Sequence, residues 1–117
     1  MQSSPAHSPQ FSVNVETKEN ATIVRCSGRL VIQNGSILRQ AVHDRIQPGA
    51  HIVLDLTDVT HCDSMGLGTV ISLYVSSRTT GCRLQVINFS QKIRQLFSMA
   101  NVLSVFEAGA DGISHIR

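Results

Sequence analysis

The sequence predicts an α/β fold: one domain built on a mixed β-sheet. Strand-like and helix-like segments follow one another in the order β-β-α-β-α-β-α-β. That alternation is the mark of βαβ units, whose crossovers give a partly parallel sheet of fixed hand. The first two strand segments are separated only by Lys18-Glu19-Asn20. So short a link cannot cross over, which makes that pair antiparallel and the sheet mixed. The length, 117 residues, fits a single domain with a single core.

In chain order, Phe11, Val13 and Val15 alternate with Ser12 and Asn14, as in a half-buried strand. A second strand covers residues 22–26, pauses at Ser27-Gly28 and resumes with Leu30-Val31-Ile32. Asn34-Gly35-Ser36 turns the chain and starts a helix. Leu38, Ala41, Val42 and Ile46 give that helix an apolar face, Arg39, Gln40, His43 and Asp44 its wet side, and Pro48-Gly49 its end. Residues 52–56 form an apolar strand interrupted by Asp55. Leu67, Val70, Ile71 and Tyr74 then repeat at i, i+3, i+4, i+7, widened by Leu73 and Val75, until Thr79-Thr80-Gly81 closes the helix. Residues 84–87 are a further strand. Asn88 or Ser90 caps a third helix, in which Ile93, Leu96, Phe97 and Ala100 repeat the same spacing. Residues 102–106 read as a final short strand or a strand–helix junction, and residues 108–117 fit no single pattern. Residues 1–10 are polar and lack the basic start and apolar run of a signal peptide, so they read as a disordered tail before a domain at 11–117.

Composition narrows the function. Aromatics make up 4% of the chain and Trp is absent, so Val, Ile and Leu must build the core. A formal charge of +2 without a Lys/Arg cluster does not point to nucleic acid. Charged residues are only 15%, so the surface is rich in Ser, Thr, Asn and Gln or is covered by a partner. Cys26, Cys62 and Cys82 show no paired spacing; they read as free buried thiols in a reducing cytosol, and no metal or cofactor site is expected. No apolar run approaches the about 20 residues that span a bilayer, so membrane insertion is not expected.

The most informative stretch joins the central strand to the second helix at Cys62-Asp63-Ser64-Met65-Gly66. It puts a hydroxyl at a helix N-terminus, where backbone N–H groups lack partners and the helix dipole is positive. Ser64 or Asp63 can simply cap the helix, with Gly66 and Gly68 allowing close helix–sheet packing. The stretch also resembles a nucleophile elbow with Cys62 in place of the first Gly. A hydrolase triad would still need a downstream acid and His, however, and the only later His is His115. A nucleotide loop is disfavoured, since Ile71 stands where Gly66-Leu67-Gly68 needs a third Gly and no Gly-Lys-Ser/Thr occurs. A last reading is a regulatory phosphoacceptor. Phosphate at Ser64 would be tolerated by the helix end but not by a partner docked on Met65 and Leu67. Among the neighbours, Asp63 orders the turn or supplies a second cap acceptor. Asp55, a charge within a strand, must be paired or lie at the sheet's edge, and reads as a structural hydrogen-bonding group rather than a chemical one. His61 reads as a surface loop residue, Cys62 as core packing, and Arg29 as a partner contact or a solvated strand-end charge.

At these residues the chain resembles the STAS family, the sulphate transporter and anti-sigma factor antagonist domain. The resemblance rests on Asp55-Leu56, Val59 and Asp63-Ser64-Met65-Gly66-Leu67-Gly68, with Gly28-x-Leu30 and the element order as looser support. It implies a mixed sheet with helices packed mainly on one face. It also implies a cytoplasmic anti-sigma factor antagonist without catalysis of its own, whose phosphoacceptor is Ser64 with Asp63, Met65 and Gly66 as neighbours. The implied partners are an anti-sigma factor with Ser/Thr kinase activity, which binds the unphosphorylated form, and a PP2C-type phosphatase that resets it. Arg29, Asn34, Met65, Leu67 and Gly68 are the implied partner-binding residues. The chain departs from the family where antagonists often read Gly-Glu-Leu-Asp, because here the residues are Gly28-Arg29-Leu30-Val31. That implies either a partner of reversed local charge or a STAS module that only binds, as a scaffold in a transporter or signalling complex.

Overall fold

The computed structural model describes residues 10–99. The strands β1 (Phe11–Lys18), β2 (Ala21–Leu30), β3 (His51–Cys62) and β4 (Arg83–Ile87) form one sheet in that order. β1 and β2 are antiparallel, while β2–β3 and β3–β4 are parallel. A 3-10 turn (Ile32–Asn34) leads from β2 into helix α1 (Gly35–His43); α2 (Ser64–Thr80) links β3 to β4, and α3 (Gln91–Met99) follows β4.

The sheet register explains which face the helices cover. Val15, Val24, Leu54 and Val86 lie across one row of the sheet. Strand alternation puts all four on the same side, with Ile52, Leu56 and Leu84 beside them. Leu38 and Val42 of α1, Val70 and Leu73 of α2, and Ile93 and Phe97 of α3 pack against that side to form the core. The next row, Asn14, Arg25, Asp55 and Ile87, faces away and stays partly or fully exposed. The core is largely Val, Leu and Ile with Phe11 and Phe97, as so small an aromatic content requires. Among the described residues no helix is long and apolar enough to cross a membrane.

The structure differs from the sequence-based expectation in three places. β2 stops at Leu30 rather than continuing through Val31 and Ile32. Asn34 causes this: its N–H donates to the Val31 carbonyl (2.8 Å) and its Nδ2 to the Arg29 carbonyl (2.7 Å), which closes a turn instead of a ladder. β3 runs on from Leu56 to Cys62. Its second half has lost β4, which pairs only as far as Asp55, and keeps β2 alone. Polar Thr57, Asp58, Thr60 and His61 suit a strand open on one edge, and two register shifts against β2 accommodate them. α1 ends at His43, so Ile46 lies beyond it in the following turn. The strand expected at 102–106 and nearly all of the polar tail lie outside the described residues.

Gly28 lets the start of β1 close against the end of β2. Its φ is +101°, and a Cβ there would sit 2.1 Å from the Gln10 carbonyl oxygen. The close approach lets the Arg29 N–H reach that same oxygen at 2.8 Å, which fixes the end of β2.

Candidate functional site

β3 ends at Cys62, and the next residue starts the helix. Asp63 is extended (φ −102°, ψ −177°) and is the N-cap of α2. Its Oδ1 accepts from the Gly66 N–H at 2.8 Å, and its carbonyl accepts from Leu67 N–H at 2.9 Å. Of the two caps the sequence left open, Asp63 is therefore the one used. Ser64 becomes the first helical residue; it is exposed, and no hydrogen bond engages its hydroxyl among the described residues. No general base is poised on it there, so the elbow resemblance gains nothing from the geometry.

Gly66 sets the rotation of the helix. A Cβ at Gly66 would lie 2.0 Å from the Leu30 carbonyl oxygen and 2.8 Å from its carbon. Only a bare Cα lets the first turn of α2 rest on the end of β2. That rotation turns Leu67, Val70 and Leu73 into the core and leaves Ser64, Met65, Gly68, Ser72, Val75 and Ser76 outside. Met65 is 54% exposed and Val75 55%. The helix carries no charged side chain before Arg78. Ile32, 61% exposed on the 3-10 turn packed beside α2, adds to this uncharged surface.

The structure thus sorts the residues the sequence nominated. Ser64, Met65, Gly68 and Arg29 are exposed near the start of α2 or the end of β2. Leu67 and Asn34, both expected as partner contacts, are each 4% exposed. Leu67 belongs to the core, and Asn34 locks the turn after β2 through its bond to Arg29. Neither can touch a partner with its side chain in this conformation. Gly68, expected to ease helix–sheet packing, faces open space: a Cβ there would meet nothing within 4 Å. Asp55 lies on the opposite side of the sheet. It accepts from the Thr57 hydroxyl and N–H and from Asn88 Nδ2 (3.3 Å), and pairs with Arg25 (3.9 Å). Burial alone would raise its carboxyl, but the Thr57 and Asn88 hydrogen bonds and the Arg25 charge outweigh that and hold it below the ordinary carboxylate range.

A groove of about 310 Å³ opens beside the cap, lined by Arg29, His61, Cys62, Asp63, Lys92 and Ile93 among others. Cys62, expected in the core, is only partly buried and helps to line it. Burial first, and the Asp63 charge second, push the Cys62 thiol up to about 11, so it stays protonated at neutral pH. Sequence reasoning missed Lys92 and Ile32. Lys92 reaches the groove only because α3 starts beside the end of β3, which is a matter of topology. Ile32 was assigned to a strand that Asn34 in fact terminates.

Fold and site together describe a small mixed α/β domain that presents an unengaged serine at a helix N-terminus, next to an uncharged helix face and a basic groove. The chain belongs to the STAS domain family, which matches residues 12–114. It is 25% identical over 100 residues to the anti-sigma-B factor antagonist of Bacillus subtilis (strain 168), covering 86% of this chain and 92% of that protein. It is 26% identical over 97 residues to the anti-sigma F factor antagonist of Paenibacillus polymyxa, covering 81% and 83%. Its fold is similar to the structure of the anti-sigma factor antagonist SpoIIAA in its unphosphorylated form, with a TM-score of 0.67 at 20% identity over 79% of this chain and 83% of that one.

Proposed function

We propose that this chain is an anti-sigma factor antagonist: a cytoplasmic binding protein, without catalysis of its own, switched by phosphorylation of Ser64. The observation that carries this reading is the division of labour at the start of α2. Asp63 caps the helix, so the exposed Ser64 hydroxyl is left with no structural duty. A phosphate there adds a charge of about −1.5 to −2 beside first-turn N–H groups and a positive helix end, which the domain itself accommodates. A protein seated on Met65, Gly68 and Ile32 would have to desolvate that charge, so docking is lost. The hydroxyl form binds and the phosphorylated form does not. The antagonist names of the two relatives support the same reading.

The partner is then an anti-sigma factor with Ser/Thr kinase activity, which uses the ATP, and a PP2C-type phosphatase restores the hydroxyl. Affinity capture from the native cytosol, with phosphosite mass spectrometry on the recovered chain, tests this. The expected result is a kinase in the complex, phospho-Ser64 in the free pool, retained binding by Ser64→Ala and weakened binding by Ser64→Asp. Equal binding by all three forms, with no phosphate incorporated from ATP by that kinase, would sink it. Arg29 in place of an acidic residue favours one other reading, a binding-only scaffold; a transporter ATPase recovered without phosphate on Ser64 would select it.

A further inference from the structure

The groove beside Ser64 holds cations that the fold does not use. Arg29 has its backbone fixed on both sides, by the Gln10 carbonyl and by Asn34 Nδ2. Its guanidinium nonetheless has no hydrogen bond or ion pair among the described residues, and the same is true of the Lys92 ammonium. Lys92 sits in the first turn of α3, where a cation opposes the helix dipole, so helix stability does not account for it. His61 also lines the groove, its Nδ1 bonded to Thr60 Oγ1 at 3.1 Å. Among the described residues, Asp63 is the one carboxylate lining the groove, and its Oδ1 already serves the Gly66 N–H. The uncharged face of α2 and exposed Ile32 begin next to this basic opening.

We propose that the groove receives an acidic segment of the protein that docks over α2, with an Asp or Glu side chain held between Arg29 and Lys92. The guanidinium fork suits a carboxylate in bidentate fashion, while Lys92 closes the other side as a point charge. Apolar residues flanking that carboxylate lie on Ile32 and Met65. This rests on the reading of Ser64 as the docking switch and names the chemistry of the docked partner. Charge complementarity selects the occupant: a basic segment would meet two cations that no described residue pairs, and a neutral one would bury them without supplying a counter-charge.

The test uses the kinase recovered with the wild-type chain, purified, with affinity measured at low and high potassium chloride. Arg29→Glu/Lys92→Glu and the milder Arg29→Gln/Lys92→Gln are compared with Arg45→Glu, a surface cation bonded to the Ala41 carbonyl away from the groove. The charge-reversed chain is expected to lose at least about tenfold in affinity at low salt and most of the salt dependence, the neutralised chain less, and the control nothing. Carbodiimide coupling, which joins amines to carboxylates at zero length, is expected to link Lys92 to an Asp or Glu of the kinase. Wild-type affinity and salt dependence in both groove variants overturns the proposal, as does coupling of Lys92 to a second copy of this chain instead of the kinase. Should Ser64→Asp weaken kinase binding while the groove variants do not, only the groove proposal falls. If the wild-type chain binds no kinase, both readings fall.

Discussion

Arg25 and Arg29 stand four residues apart on β2, and the fold treats them in opposite ways. Arg25 faces the open side of the sheet, between Glu16 of β1 and Asp55 of β3. Asp55 is in turn held by Thr57 and by Asn88 beyond β4, so every charge in that cluster is answered from within the molecule. Arg29 lies past the register shifts, where β4 no longer flanks β3, and no side chain among the described residues answers it. The first cluster ties three strands together; Arg29 is left without a counter-charge among the described residues. In a chain with only 15% charged residues, an unanswered cation beside an uncharged helix face is informative. The contrast separates what the fold needs from what a partner needs, and substitutions at the two clusters test that separation.

The largest expected effect falls where the two roles meet. Gly66→Ala drives a methyl into the Leu30 carbonyl, so α2 must lift off the end of β2. A loss of about 3 kcal/mol in denaturant unfolding, with loss of partner binding, is expected. If the variant keeps wild-type stability, α2 does not rest on β2 as described. Next comes the paired cluster: Asp55→Ala removes an acceptor serving Thr57 and Asn88 and should cost about 1–2 kcal/mol without changing partner affinity. The pH dependence has a definite sign. The Asp55 carboxyl is held below its ordinary value in the folded state, so its contribution is fully present above the unfolded value of about 3.9 and is lost as pH falls through the lower folded value. Acid titrations of stability should therefore show a steeper low-pH limb for the wild type than for Asp55→Asn.

Asp63→Ala removes the cap of α2 and should cost about 1 kcal/mol. Ser64→Ala should cost less than that, because the serine caps nothing, and thermal melts of the two variants side by side check the assignment of the cap. Gly68→Ala should stabilise the chain by about 0.5–1 kcal/mol, since a methyl there meets open space within a helix. The same methyl stands on the docking face, so partner affinity should fall as stability rises. The smallest stability effect is at Arg29→Ala, within about 0.5 kcal/mol of the wild type, with a clear loss of partner affinity. A destabilisation as large as that of Asp55→Ala would erase the distinction between the two clusters.

Much of this was legible in the chain. Helical spacing from Leu67 to Tyr74 and from Ile93 to Phe97 located α2 and α3, and the Asp63-Ser64 step located the site. What was not legible depended on contacts across the fold. Asp and Ser are both good caps, and Asp63 takes the role because it is still extended at the end of β3, with its N–H donating to the Leu30 carbonyl at 3.4 Å and its side chain accepting from Gly66. Leu67 looked as available as Met65 until Gly66, by its contact with Leu30, fixed which side of α2 turns inward. The second half of β3 lacks apolar alternation because it is paired on one side only, so periodicity could not extend the strand past Leu56. Lys92 carries no local signal of its place in the groove, since the whole of α2 and β4 separate it from the Cys62 end of β3.

The central claim is that one phosphate on Ser64 decides docking. It is tested most directly by isothermal titration of the purified kinase with the unmodified chain and with the same chain carrying phosphoserine at position 64. Tight binding by the first is expected, with a loss of at least about a hundredfold in the second from burial of the dianion and matching circular dichroism spectra for both. Equal affinity of the two forms would contradict it.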